Sequence, residues 1–487
     1  MRDVATRRIL EGPLAREIAR FGAPLALGMA LQTTFNLVDA YLVAQLPAGE
    51  VGPAIGALGI CDQIAALGTI VSYGISTATG ALLSQLKGAG DQRAIQHTAW
   101  QSLLIVGALS AFFAVIGLTL AGPIVRDVVG AKGAVATEAT RYLRVIVGGS
   151  FSIFFLLQLT SIQRALGSAK TPMALLVTGN VLNVLFAIVL IFGDGPAPPG
   201  LSWATSIARA LHIPKMGMLG AAWATIAART LVLVPNLIIL ARRFSIVRPP
   251  AGARGFEAAE VRQILSIAWP SSAQFVIRIA AMLLVNSLVA RFFTTAEDQT
   301  ATTAIGLVFR LDTVALFIAM GWGSAAQTFV GQNLGAKQEE RAARSGWITA
   351  AYDTATNIVL VVLIMQLGET LLRVFDSDPG PVGIAVEYLH AVAPSYLGLG
   401  IAVVLGNAMA GAGATKTTLG IDAAVILGFQ APVCIFAVAV LGADRITLFR
   451  LVAVTNVLSA IAYAIVYARG RWRQTLVAPV SWRPIAD

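Results

Sequence analysis

Charge is scarce in this 487-residue chain, where Asp, Glu, Lys and Arg together make up 12%. A water-soluble domain carries about 25%. Cysteine occurs twice and histidine three times. Cys61 and Cys434 stand in different apolar segments, so no disulfide framework or thiolate site is expected, and both read as core packing. His97, His212 and His390 are scattered without metal-ligand spacing, which argues against a membrane-embedded metalloenzyme. No Gly-x4-Gly-Lys-Ser/Thr run occurs, so ATP hydrolysis is not expected. No succession of short alternating strands is present, which excludes a transmembrane barrel. No short apolar leader with a cleavage site opens the chain, and the first hydrophobic segment is expected to stay as a helix. No cofactor is expected.

What is present is apolar length. Hydrophobic residues make up 57% and the mean hydropathy is +0.77. A span of ~30 Å of hydrocarbon needs ~20 apolar residues in a helix. Twelve such segments are read at 20–45, 53–80, 98–121, 143–163, 172–193, 217–241, 264–291, 301–328, 347–367, 386–410, 418–441 and 446–468. The chain also repeats itself. An offset of 246 pairs Arg16 with Arg262, Pro24 with Pro270, Ala44 with Ala290 and Tyr142-Leu143 with Tyr388-Leu389. An offset of 247 pairs Gly59 with Gly306, Gly74 with Gly321, Gln85 with Gln332, Gly88-Ala89 with Gly335-Ala336 and Trp100 with Trp347. Six spans fall in each copy, so both copies share one orientation, as in secondary transporters built from parallel repeats. The expected fold is an all-α integral membrane protein, twelve transmembrane helices in two pseudo-symmetric six-helix bundles. The lobes are placed at 1–241 and 263–468, with a basic linker at 242–262 and a tail at 469–487.

Lys and Arg divide unevenly between the two sides: 22 fall on the side of the termini and ten on the other. The positive-inside rule then sets both termini and the linker in the cytoplasm of a cell (inner) membrane. This basicity is topological, and no nucleic-acid partner is expected. Residues 201–212, with Trp203, Ile207 and Leu211, read as a short amphipathic helix lying at the interface on the opposite side.

Helix 1 carries Asn36-Leu37-Val38-Asp39 after Pro24, and the loop after helix 2 has Gly88-Ala89-Gly90-Asp91. The loop after helix 8 reads Val-Gly-Gln-Asn-Leu-Gly-Ala at 330–336. The repeat-related loops at 167–172 and 413–417 read Gly-Ser-Ala-Lys-Thr-Pro and Gly-Ala-Thr-Lys-Thr. Asn183 precedes Ile191-Phe192-Gly193, and helix 6 opens with the run from Gly217 to Thr225. Together, over residues 15–468, this set resembles the multidrug and toxic compound extrusion family. The resemblance implies two six-helix lobes and export of organic, often cationic, compounds against a proton or sodium gradient. On the residues alone, the glycine-rich loops are tight turns that end helices, not phosphate cradles.

The candidate chemistry lies inside the membrane. Gln32, Asn36 and Asp39 form one polar stripe on helix 1. An ionisable group there costs about 2.5–3.5 kcal/mol on insertion scales and normally faces a cavity. Asp39 is therefore the expected proton-coupling residue, and its repeat position holds Val285. Asn180 and Asn183 share a face of helix 5, and by resemblance Asn183 joins the helix 1 carboxylate in a polar network. The position where the family often has a second carboxylate is Ala187 here. Gln158 and Tyr41 are candidate members of that network. In the C-terminal lobe, Gln274, Arg278, Asn286 and Arg310 are cleft candidates. Some relatives carry Glu at position 278, but Arg is always protonated and cannot exchange a proton. Asp312 is a candidate neighbour of Arg310, and the facing of Asp353 and Asp422 is left open. Pro24, flanked by Gly22 and Gly28, is the expected hinge. The reading is a proton-coupled antiporter of amphipathic, cationic compounds, acting as a monomer in the bilayer by alternating access. A lipid-linked precursor flippase and a sodium-coupled exporter are the alternatives. With one carboxylate in the N-lobe network and an arginine in the C-lobe, sodium is the weaker of the two ions.

Overall fold

The structure is a computed structural model. It describes residues 4–475 except 245, 247–254, 296 and 377; the side chains of 33–37, 39, 40, 48, 243, 244 and 475 are outside the description as well. Among the described residues there are helices and no strands. The N-terminal half holds α1 (Val4–Glu11), α2 (Leu14–Ala44), α3 (Ala48–Ala89), α4 (Gln92–Pro123), α5 (Gly133–Gly148), α6 (Phe151–Ala165), α7 (Lys170–Phe192), α8 (Ser202–Ala210) and α9 (Met218–Phe244). The C-terminal half holds α10 (Ala258–Phe292), α11 (Thr300–Gly335), α12 (Glu339–Arg373), α13 (Pro379–Val392), α14 (Tyr396–Gly411), α15 (Thr415–Asp422), α16 (Ala431–Ile435) and α17 (Arg445–Ala468).

Eleven helical stretches among the described residues are long and apolar enough to cross a membrane, and α2, at 31 residues, is the remaining long helix. The spans match the twelve read from the sequence. One boundary moves: α10 begins at Ala258, so residues 258–262 are its first turns and not linker. The amphipathic segment at 201–212 is α8, whose Trp203 and Ile207 are exposed along with Leu211 just after it.

The repeat is visible in the backbone. α5 and α6 are one span broken around Gly149-Ser150, and α13 and α14 are one span broken by a 3-10 turn at Ala393–Ser395, which holds Pro394. These breaks lie 246 residues apart, so the duplication kept the bend. The eleventh span is unusual: α15 passes into π-helix at Ala423–Gln430, and a second π segment covers Phe436–Val440. π segments interrupt the regular ladder and often mark functional positions.

The lobes meet in the half of the molecule nearest the chain ends. There α2 packs on α11 and α3 packs on α10 and α11. Phe21 and Leu25 of α2 share a buried cluster with Trp322 and Phe329 of α11 and with Met409 of α14. The seam is closed by a reciprocal pair of bonds. Gln85 Nε2 donates to the Gly411 carbonyl at 2.9 Å, and Gln332 Nε2 donates to the Ala165 carbonyl at 2.8 Å. A Cβ on Gly88 would stand 1.9 Å from the Gln332 carbonyl oxygen, and one on Gly335 would stand 1.9 Å from the Gln85 carbonyl oxygen. Only glycine permits this backbone approach, and the repeat supplies it twice. Gly88→Ala or Gly335→Ala is therefore expected to cost the closed seam ~1–3 kcal/mol through overpacking. The check is spin-label distances across this face, which should lengthen in either variant.

α1 lies along the same face. Arg341 of α12 donates through Nη2 to the carbonyls of Ile9, at 3.1 Å, and Gly12, at 2.5 Å. The guanidinium thereby satisfies carbonyls at the end of α1 that no helix bond reaches. Trp472, in the short turn after α17, donates to the Tyr467 carbonyl at 2.8 Å and is buried.

Candidate functional site

Arg278 is the first cleft candidate that the structure resolves. α10 carries it eight residues beyond Pro270, and its side chain is largely buried. Its partner is Asp422, at the junction of α15 with the π-helix. Nε donates to Asp422 Oδ2 at 2.7 Å and Nη2 donates to Oδ1 at 3.3 Å, a two-point grip. Two further groups donate to the same carboxylate: Gln274 Nε2 at 2.9 Å and the Tyr463 hydroxyl at 2.9 Å. Gln274 Oε1 in turn accepts from the Thr418 hydroxyl at 3.2 Å. A buried ion pair is tolerated only when its remaining lone pairs are satisfied in this way. The pair ties α10 to α15, and its Arg278 end faces both the interior of the C-terminal lobe and the space between lobes.

Behind Arg278 the C-terminal lobe holds a cavity of about 200 Å³. Its walls are largely apolar, with Met282, Phe309 and Leu399 among them, and Asn286 contributes an amide. A second carboxylate, Asp312 of α11, lines the cavity. The Tyr388 hydroxyl donates to Asp312 Oδ2 at 2.7 Å and the Tyr396 hydroxyl donates to Oδ1. The helix break at Ala393–Ser395 explains how both reach it. In an unbroken helix, residues eight apart sit ~12 Å apart along the axis. The bend folds the two tyrosines onto one acid.

The N-terminal lobe has its own cavity, about 430 Å³, walled on one side by Phe275, Ile279 and Phe317 of the other lobe. Gln32, Asp62 and Arg229 line it. Both cavities draw their walls from the helix halves farther from the chain ends, while the interlobe bonds lie in the nearer halves. The bonds of Gln85 and Gln332 that join the lobes thus lie between the cavities and the face that holds the chain ends.

Several expected residues go elsewhere. Gln158 is fully buried and does not join Asn183. Its Nε2 donates to Thr79 at 3.0 Å and Ser102 at 2.8 Å, and its Oε1 accepts from Ser76 at 3.1 Å. It is a strut tying α6 to α3 and α4. Tyr41 is 62% exposed and faces outward. Arg310 does not line the cavity; its guanidinium stacks 4.8 Å over the Phe375 ring. Gln274, Arg278 and Asn286 do line cavities. Asn180 has a buried amide nitrogen without a hydrogen bond, and Asn183 has its Oδ1 buried one turn further on. Asn36 and Asp39 have side chains outside the described residues; the backbone of α2 is helical through both, and through Pro24. Asp353 lies behind the site, fully buried, bonded by Asn357 Nδ2 at 3.0 Å.

A bipartite bundle with a largely apolar cavity in each half can be set against known proteins. The family model MatE matches residues 24–189 and 270–436, one match in each lobe. The chain belongs to the MatE family. This MatE chain is 25% identical over 469 residues to the probable multidrug resistance protein YpnP of Bacillus subtilis, covering 95% of this chain and 97% of that one. It is 21% identical to the FAD transporter of Shewanella oneidensis, over 82% of this chain and 83% of the other. Its fold matches a MOP superfamily transporter from Pyrococcus furiosus described as having reverse polarity of its binding pocket, with a TM-score of 0.84 and 19% identity over 97% and 98% of the two chains. It also matches an outward-facing multidrug resistance MATE transporter, with a TM-score of 0.81 and 20% identity over 96% and 97%.

Two cavity groups of this MatE protein were hard to place from the sequence, Asp62 altogether and Asp312 in its partners. Asp62 carries no motif, and its spacing gives no polar stripe on α3. Asp312 was visible as an intramembrane acid, but its tyrosine partners lie 76 and 84 residues away. Only the repeat position of Tyr142, matching Tyr388, hinted that a tyrosine stands there.

Proposed function

We propose that this chain is a proton-coupled exporter of amphipathic organic compounds that works by alternating access. The cleft, sealed by the Gln85 and Gln332 bonds and lined by two polar-apolar cavities, carries the reading. Oily walls with few polar anchors suit ligands that differ in shape but share a polar end. The uneven Lys and Arg count supports a cytoplasmic sealed face in an inner membrane. The seal then describes the outward-facing state. Asp39 is the proposed proton carrier, because it is the one carboxylate of the polar stripe on helix 1, and an ionisable group inside a membrane normally faces a cavity. The hydroxyls on Asp312 and the salt bridge on Asp422 engage the acids of the other lobe, so they are not the ones assigned this task. Protonation at Asp39 would change the bonds of α2 and bias a bend at Pro24.

Wild-type protein in liposomes loaded with cationic dyes tests the reading. Efflux should follow an imposed pH gradient and ignore an imposed sodium gradient at clamped pH. The reverse pattern would replace proton by sodium coupling. Movement of lipid-linked precursors without dye efflux would favour a flippase.

A further inference from the structure

His97, near the start of α4, lies against the other lobe at the sealed face. The acids opposite are Glu257, which caps α10, and Glu260 in its first turn. One donor atom from each of the three residues lies within 4.8 Å of the others. His97 and Glu260 are more than nine-tenths buried.

Gln101 is held as an amide by two backbone groups: its Nε2 donates to the Gly255 carbonyl at 2.5 Å, and its Oε1 accepts from the Glu257 N–H at 3.3 Å. That same Nε2 lies 3.3 Å from His97 Nε2. The other ring nitrogen, Nδ1, contacts Glu260 Oε2. Glu260 is itself steadied by the Thr98 hydroxyl on Oε1. A carboxylate on one ring nitrogen is the partner that orients a metal-binding histidine, whose other nitrogen is the ligand. On the side of that other nitrogen stands Glu257 Oε2, 3.5 Å from Nε2. An ion seated between these two atoms would be held by both and would take the place of the Gln101 contact. Two atoms bound ~2.1 Å from one tetrahedral ion lie ~3.4 Å apart, close to the Nε2 to Oε2 distance.

We propose that His97 and Glu257 bind a divalent transition-metal ion, with Glu260 as the outer carboxylate and water completing the shell. Mixed imidazole and carboxylate donors suit zinc and its first-row neighbours. The two ligands come from opposite lobes. An ion held by both favours the state in which this face is closed, so it would act as an inhibitory staple on the transport cycle.

Zn²⁺ is the probe, with Mn²⁺ as the second ion, on the full chain in detergent and in liposomes. Micromolar Zn²⁺ should raise the melting temperature by several degrees and slow dye efflux about tenfold. EDTA should reverse both. His97→Gln and Glu257→Gln should each lose both responses, whereas His212→Ala and His390→Ala should keep them. Glu257→Gln is the safer variant, since that side chain is 38% exposed. The thermal shift is read without transport, so it stands or falls independently of the exporter reading. No shift with either ion, or an equal shift in Glu257→Gln, would overturn the proposal. Stability that follows pH and ignores EDTA would do so too, and would mark the cluster as an imidazolium ion pair.

Discussion

Replacing Asp422 with asparagine while Arg278 remains is expected to give the largest loss of stability of any single change in the C-terminal lobe. The guanidinium would keep its burial and lose its counter-charge. Breaking a buried pair from one side costs about 3–5 kcal/mol, because the remaining charge has no compensation. Gln274 and Tyr463 also lose part of an acceptor they share. The double replacement Arg278→Met with Asp422→Leu should recover much of the loss, since apolar pairs of similar volume often match a buried ion pair. Thermal unfolding of the purified wild type, Arg278→Met, Asp422→Leu and the double variant checks this as a mutant cycle, with Asp422→Asn measured beside them. Additive single effects would show that the two residues do not interact. Efflux in the double variant is informative as well. Arg278 borders both the C-lobe cavity and the interlobe space, so a stable but slow double variant would show that the pair also serves transport.

Asp39→Asn is expected to abolish efflux driven by a pH gradient, a loss of at least a hundredfold. Asparagine keeps the size and the hydrogen-bonding groups but cannot take up a proton. Asp62→Asn is the matched comparison, because Asp62 lines the N-lobe cavity on the neighbouring helix α3. Coupling through Asp39 predicts that Asp62→Asn retains gradient-driven efflux. Full activity in Asp39→Asn together with a null Asp62→Asn would transfer the role to Asp62. Downhill substrate movement, measured without a gradient, separates loss of coupling from loss of folding.

The fold was legible because its determinants are local and repeated. Twelve long apolar stretches, Gly88 and Gly335 in matching turns, and prolines 24 and 270 at matching depths need no knowledge of contacts. The site was less legible, because its bonds join distant positions. Arg278 was recognisable as a buried cation, but nothing in its surroundings names Asp422, 144 residues away. Gln158 looked like a network member because a polar side chain in an apolar helix gives the same signal whether it binds a ligand or braces neighbours. The cluster around His97 was invisible for a related reason. Metal-ligand spacing is a pattern within one segment, and here the acids arrive from the other lobe.

The reciprocal bonds of Gln85 and Gln332 have an evolutionary consequence. In a half-length ancestor paired with a copy of itself, one glutamine and one glycine would have formed both contacts at once. Every mutation in that gene would have struck both sides of the seal together, and a carboxylate in one cavity would have been a carboxylate in both. Fusion of two copies released that constraint. Gln32 and Arg278 occupy equivalent positions and have since diverged into an amide and a cation, while the glutamines and glycines of the seal have stayed alike. Symmetry persists where the halves must fit each other, and it has been lost where each faces its own cavity.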